Sequence, residues 1–378
     1  MSTYSVGQSD RERGTGWKVF AVFAGFLIPF VIAIGAWLAV SAHNASDRAS
    51  QAAASAKAAT PAVAAPTVGS LPTPSFAGIA PANADAIAMR HAAFPAALPA
   101  APAGPVAHVQ LGIADRVVSV APGIQYRAWT FGDTAPGPVI HVRQGQRVEV
   151  TLTNNGMMAH SVDFHAAQVA PNVDFADVAP GGSKTFSFVA SAPGVYMYHC
   201  GTAPAFMHIA NGMYGAIIVE PKNMPPAQRQ YVLVSSEWYL NAPGNGSPAT
   251  LDVTKAEQMT PDWVTFNGYA AQYKTHPLTS MPGQTVRFWV VDAGPSLDTD
   301  FHIVGTILNT AYPFGDLNPA DALHNVQTVT VPAGGGGVFD VKIDDPGLYP
   351  FVSHAFAAVD EGQVGLLNVG NVKGTMSH

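Results

Sequence analysis

The run Tyr198-His199-Cys200, followed by His208 and Met213, is the part of this 378-residue chain best equipped for chemistry. A cysteine thiolate, an imidazole and a weak axial thioether together make the ligand set of a blue-copper, or type 1, electron-transfer site. Cys200 and His208 flank one short loop, and Met213 comes five residues after His208. Zinc suits this set less well, because zinc sites are built from thiolate, imidazole and carboxylate rather than thioether. A fourth ligand must come from elsewhere. His160 is the candidate, at a strand end after Asn154-Asn155-Gly156. Cys200 is the single cysteine, so no disulfide can form within the chain, and the competing reading is an inert buried thiol beside unrelated histidines.

A second cluster of donors is His160-Ser161-Val162-Asp163-Phe164-His165. Side chains alternate along a strand, so residues five apart face opposite sides. His160 and His165 therefore suit two different metals, and the same logic separates the adjacent His199 and Cys200. Two metals bridged by one peptide unit would lie roughly 12 Å apart, from opposed side chains plus metal bonds of about 2 Å. A second metal held by His165 and His199 needs a further protein ligand and an open position to be catalytic. His354, in Pro350-Phe351-Val352-Ser353-His354, is the candidate, with a satisfied core histidine as the alternative.

Strands must position these residues. Val139-Ile140-His141-Val142-Arg143 and Arg147-Val148-Glu149-Val150-Thr151-Leu152 alternate as half-buried strands do. The Gly count of 36 and Pro count of 31 fit an all-β body rich in turns. One short helix is expected around Leu251 to Met259. The chain also repeats itself: Arg143-Gln144-Gly145-Gln146 returns as Met281-Pro282-Gly283-Gln284, Asp163-Phe164-His165 as Asp300-Phe301-His302, and Pro193-Gly194-Val195-Tyr196 as Pro346-Gly347-Leu348-Tyr349. Three matches in one order argue for two copies of a β-sandwich, over residues 106–222 and 223–371, with a tail at 372–378. Before them come a short tail (1–18), a run without charge from Val19 to Val40, and an Ala/Pro-rich stretch at 43–105, expected to be a disordered tether. The apolar run is long enough to cross a hydrocarbon core, so 19–42 is expected to be a transmembrane anchor. Arg11, Arg13 and Lys18 before it place the body outside the cytoplasm. The net charge of −7 argues against a nucleic-acid partner.

These motifs, with Ala166-Ala167 after His165 and His208-Ile209-Ala210-Asn211-Gly212-Met213, resemble the copper-containing nitrite reductases, above all their surface-anchored bacterial branch with its short Cys-to-His loop. The resemblance runs from about Val106 to Val369. It implies two tandem cupredoxin-like Greek-key sandwiches, a homotrimer, and about two coppers per chain. Type 1 copper would be held by His160, Cys200, His208 and Met213. Type 2 copper would be held by His165 and His199 of one subunit and His354 of its neighbour. Asp163 and His302 map onto the family's acid–base pair, with Gln327-Thr328 supporting His302. The implied reaction is the one-electron reduction of nitrite to nitric oxide in denitrification, fed by a small electron-donor protein such as a cupredoxin or cytochrome c. A carboxylate and an imidazole suit delivery of the two protons.

Two departures stand out. Val304 replaces the isoleucine often found above the nitrite site, and Gln168-Val169-Ala170-Pro171-Asn172 replaces a Gly-rich stretch. Rival readings are a two-domain multicopper oxidase acting on another substrate and a bare type 1 electron carrier. A laccase-type trinuclear cluster needs His-X-His pairs, and this chain has none. His141, His276 and His324 lie outside every motif and are expected to be structural or at the surface.

Overall fold

The computed structural model describes residues 81–374, and the expected anchor at 19–42 lies outside them. Among the described residues no helix is long and apolar enough to cross a membrane, which says nothing of β-barrels. The body is mostly strand. The first eight strands are β1 (Val106–Ala121), β2 (Ile124–Phe131), β3 (Ile140–Arg143), β4 (Arg147–Asn154), β5 (Asp163–Phe164), β6 (Ser183–Val189), β7 (Gly194–His199) and β8 (Tyr214–Glu220). They form two sheets in the orders β2-β1-β4-β6 and β3-β8-β7-β5. The remaining strands are β9 (Arg229–Trp238), β10 (Trp263–Phe266), β11 (Leu278–Ser280), β12 (Thr285–Asp292), β13 (Thr299–Ile303), β14 (Leu308–Tyr312), β15 (Leu323–Val326), β16 (Thr328–Val331), β17 (Gly336–Lys342), β18 (Gly347–Ser353) and β19 (Val364–Val369). Their sheets run β10-β9-β12-β17-β14-β15 and β11-β19-β18-β13-β16.

The topology repeats with the sequence. β4 lies between a parallel β1 and an antiparallel β6, and β12 lies between a parallel β9 and an antiparallel β17. β5 pairs with β7 as β13 pairs with β18. The expected helix is present, shorter, as Val253–Glu257 with Asp252 accepting from the Lys255 amide.

β4 alternates as its sequence demands, with Val148, Val150 and Leu152 turned into the core. β8 and β12 do not alternate: nearly every residue of both is buried. The reason is that the two sandwiches share an apolar layer. Val195, Met197, Tyr214, Ala216 and Ile218 pack with Val232, Val234, Trp289, Val291 and Val338. Strands covered on both faces lose the period-two pattern.

The expectation of a disordered tether as far as residue 105 needs correction at its C-terminal end. Residues 84–90 form a helix, and the chain beyond it straps across both sandwiches. The Val232 amide donates to the Ala96 carbonyl (2.7 Å), and the Leu98 amide to the Gln230 carbonyl (3.1 Å), so the strap covers the N-terminal half of β9 that β10 leaves open. The Phe94 amide donates to Gln272 Oε1 (2.7 Å), and Gln146 donates to the Pro102 carbonyl (2.9 Å). An Ala/Pro segment cannot fold alone, but it can cap a sheet edge whose hydrogen bonds are otherwise unmet.

Candidate metal centre

His160, Cys200 and His208 converge in the buried end of the first sandwich. Their Nδ1 atoms stand 3.1 Å apart, and Cys200 Sγ lies 3.2 Å from His208 Nδ1 and 3.8 Å from His160 Nδ1. A metal about 2.0 Å from each nitrogen and 2.3 Å from sulfur, in a trigonal plane, would space its donors by about 3.5–3.7 Å. The observed triangle fits. Met213 is fully buried beside them, its amide bonded to the His208 carbonyl and its carbonyl to the Cys200 amide (3.1 Å each). The Ser161 amide points at Cys200 Sγ (3.4 Å), a bond that favours the thiolate. Burial, then His208, push the His160 pKa down to about 4, against the opposing pull of Asp115 and Asp177, and burial lowers that of His208. Both rings are thus held neutral, the state in which imidazole binds metal.

Local structure explains the convergence. Helix Ala205–Ala210 brings His208 back over Cys200. The Asn154 side chain, fully buried, donates to the Met158 and Val178 carbonyls (2.8 Å each) and accepts from the Gly156 amide (2.9 Å). It fixes the loop into His160, which in turn bridges Val178. Trp129 packs edge-on against His160 and at a tilt against His208. Neither Asn154 nor Trp129 stood out as a site residue in the sequence. The Asn-Asn-Gly punctuation read as a turn, and a tryptophan on an alternating strand reads as core.

His165 and His199 form the second cluster with Asp163. Asp163 lies directly across from His199 in the β5–β7 ladder. His165 Nδ1 donates to the Gly334 carbonyl (3.0 Å) and His199 Nδ1 to the Cys200 carbonyl (2.9 Å). Both protons are therefore committed, and each Nε2 keeps its lone pair. The two Nε2 atoms face each other 3.0 Å apart. Two lone pairs so placed repel unless a cation stands between them, and bonds of about 2.0 Å at a tetrahedral angle would set them about 3.3 Å apart. The donor set fits a metal here too. Partial desolvation, then His199, lower the His165 pKa. Adjacent His199 and Cys200 serve different clusters, as strand alternation requires.

His354 joins neither cluster within the described chain. Its ring packs on His302 (centroids 5.3 Å) and Phe356 (5.0 Å) at an exposed face. His302 Nδ1 donates to the Gln327 carbonyl (2.6 Å), so the support expected from Gln327-Thr328 comes from the backbone of Gln327. Of the histidines outside the motifs, His141 is buried and held by the Pro99 carbonyl (2.6 Å) and Glu220, His276 bonds Thr275, and His324 is exposed on β15.

The fold and the two donor clusters define a copper protein built of paired β-sandwiches. A model of the multicopper oxidase family matches residues 113–224. The copper-containing nitrite reductase of Neisseria meningitidis serogroup B is 39% identical over 270 residues, covering 69% of this chain and 68% of the relative. Among solved structures, the copper nitrite reductase of Nitrosomonas europaea is 35% identical with a TM-score of 0.64, covering 70% of this chain and 94% of that one. The copper-containing nitrite reductase of Thermus scotoductus is 26% identical with a TM-score of 0.65, covering 72% and 67%. This chain belongs to the copper-containing nitrite reductases.

Proposed function

We propose that the protein reduces nitrite to nitric oxide, NO2− + 2H+ + e− → NO + H2O, with His160, Cys200, His208 and Met213 as type 1 ligands and His165, His199 and His354 as type 2 ligands. The carrying observation is the His199–Cys200 junction, where neighbouring residues enter two separate donor clusters. Copper bound there supplies the one-electron chemistry and an open position for nitrite. Cys200 and His199 join the two sets through one peptide unit, and the His199 Nδ1–H bond to the Cys200 carbonyl adds a second link. Asp163, within the second cluster, is placed to hold a proton against substrate oxygen. His302, whose Nδ1 proton is fixed by Gln327, keeps Nε2 free to carry the other.

The second cluster draws two histidines from a single chain, and a homotrimer lets His354 complete it in a neighbouring subunit. Support comes from the setting of His354, which is exposed and packs on Phe356, itself 56% exposed, an apolar contact open to burial against another copy. The charge pattern of residues 1–40 supports a membrane-anchored protein with its body on the extracytoplasmic side, periplasmic or at the cell surface, receiving electrons from a small donor protein.

The test is copper stoichiometry with nitrite turnover on an artificial reductant, measured on the same preparation. About two coppers per chain with nitric oxide release is expected. Two coppers without nitric oxide would overturn the reading of the reaction, and a single copper would leave only an electron carrier.

A further inference from the structure

His165 belongs to the first sandwich, yet the group that orients it belongs to the second. The Gly334 carbonyl, which accepts the His165 Nδ1 proton, sits in the 332–335 turn between β16 and β17. Gly334 has φ +77°, and a β-carbon there would stand 3.8 Å from His165 Cε1. Each amide of this turn is already committed. Gly334 donates to the Asp292 carbonyl (2.8 Å), Gly335 to the Pro332 carbonyl (2.8 Å), and Ala333 to Asp298 Oδ1 (2.9 Å). Two of these bonds are backbone to backbone, and the third is made by a side chain. With its amides pinned inward, the turn has one carbonyl aimed at His165.

The repeat sharpens the point. Residues 179–182 form the same turn in the first sandwich, where Gly181 donates to the Asn154 carbonyl and Gly182 to that of Ala179. The backbone of the turn is inherited from the repeat; its side-chain clamp is not. Asp298 also lies one residue before β13, the strand of His302, so the clamp ties the turn to that strand.

We propose that Asp298 is a positioning residue for the second metal cluster: its carboxylate fixes the 332–335 turn, and the Gly334 carbonyl then holds the His165 ring with Nε2 presented to the metal. This rests on the reading of His165 as a type 2 ligand. Hydrogen bonds to the outer nitrogen of a ligating histidine fix its tautomer and orientation, and their loss weakens metal binding by about 10- to 100-fold. Because Asp298 acts one step removed, through the turn, the lower end of that range is expected.

The test uses the full chain carrying Asp298→Ala, Asp298→Asn or, as a control, His165→Ala. Copper(II) affinity of the second cluster is measured by chelator competition, followed through the type 2 paramagnetic signal. Melting temperature and the thiolate–copper absorption of the first cluster are read in parallel. Asp298→Ala should bind type 2 copper about 10-fold more weakly, with absorption and melting temperature close to wild type. Asp298→Asn keeps an acceptor for the Ala333 amide and should restore affinity to within about twofold. If Asp298→Ala matches wild type, the proposal fails. If both Asp298 variants lose affinity equally, the acceptor role is wrong. If His165→Ala itself keeps full type 2 copper, the underlying ligand assignment fails instead.

Discussion

Glu149 in the first sandwich and Arg287 in the second hold the same place in the repeat, on β4 and β12, and their surroundings are opposite. Glu149 pairs with His108 (3.0 Å) at the surface, its side chain 39% exposed. Arg287 is 2% exposed and makes two bonds of 2.7 Å to Asp340, its partner across the β12–β17 ladder. The face of β12 that carries Arg287 also carries Trp289, packed in the layer shared with the first sandwich, whereas the face of β4 that carries Glu149 is half-exposed. The histidine pairs show the same divergence. His165 and His199 cross at ring centroids 5.0 Å apart, and in the second sandwich His302 and His354 cross at 5.3 Å. The two pairs do not fill one repeat position, because Pro193-Gly194-Val195-Tyr196 and Pro346-Gly347-Leu348-Tyr349 align His199 with Val352, which faces His302 in the β13–β18 ladder. Where the first copy has His199 and Cys200, the second has Val352 and Ser353, and His354 comes two residues after Val352. One backbone thus carries a complete electron-transfer cluster in one copy and a bare histidine pair in the other. A duplicated fold fixes where side chains point, while their identity and cover decide what they do.

Cys200→Ala removes the thiolate that the second sandwich lacks, where Ser353 stands at the same repeat position, and should have the largest effect. The thiolate–copper absorption should vanish and turnover fall to the detection limit, while type 2 copper stays, because the band requires a copper–thiolate bond. Colour that survives would break the assignment.

Asp163→Asn compared with Asp300→Asn tests the same pair of positions one layer out. The first should lower nitrite turnover by about 10²–10⁴-fold with both coppers retained, the worth of a positioned acid–base group. The second, at the matching place behind His302, should stay within about threefold of wild type. Equal effects of the two would make Asp163 a structural hydrogen bonder.

Stability separates the two ion pairs. Asp340→Ala strands a buried guanidinium and should cost about 3–5 kcal/mol in denaturant unfolding. Glu149→Ala removes an exposed pair and should cost at most about 1 kcal/mol. Similar costs would contradict the difference in burial.

A dependence on pH separates Asn154 and Asp292, again at one repeat position. Each accepts from the glycine amide two residues on, Gly156 (2.9 Å) or Gly294 (2.8 Å). The Asn154 amide nitrogen has two acceptors, but the second oxygen of Asp292 is buried without a hydrogen-bond donor. Burial raises the Asp292 pKa to about 8. The folded state then holds a proton that the unfolded chain releases near pH 4. Its contribution is fully present below that pH and is lost as pH rises to about 8, by at most about 1.4 kcal/mol per unit. Asp292→Asn should flatten stability between pH 5 and 8, as measured by melting temperature. An unchanged slope would show that Asp292 is ionised throughout.

By itself the sequence determined the donor types and their division into two sets. Alternation along an extended chain is a local property of the backbone, and it divided His160 from His165 and Cys200 from His199 although β5 itself spans only Asp163–Phe164. Repetition likewise exposed the two sandwiches, since each copy needs its own alternating strands and turns. Tertiary structure alone decided the rest. No local signal marks Gly334, because its value lies in a carbonyl that meets a ring 169 residues away. The strap at 81–105 reads as disordered because its stabilising partners, Gln230, Val232 and Gln272, lie on strands and loops far along the chain. Arg287 is a charge on a strand and is nevertheless buried, because Asp340 and the Pro225 carbonyl, distant in the chain, close over it. Periodicity records which side of a strand a residue takes, and only packing between distant segments settles what lies on that side.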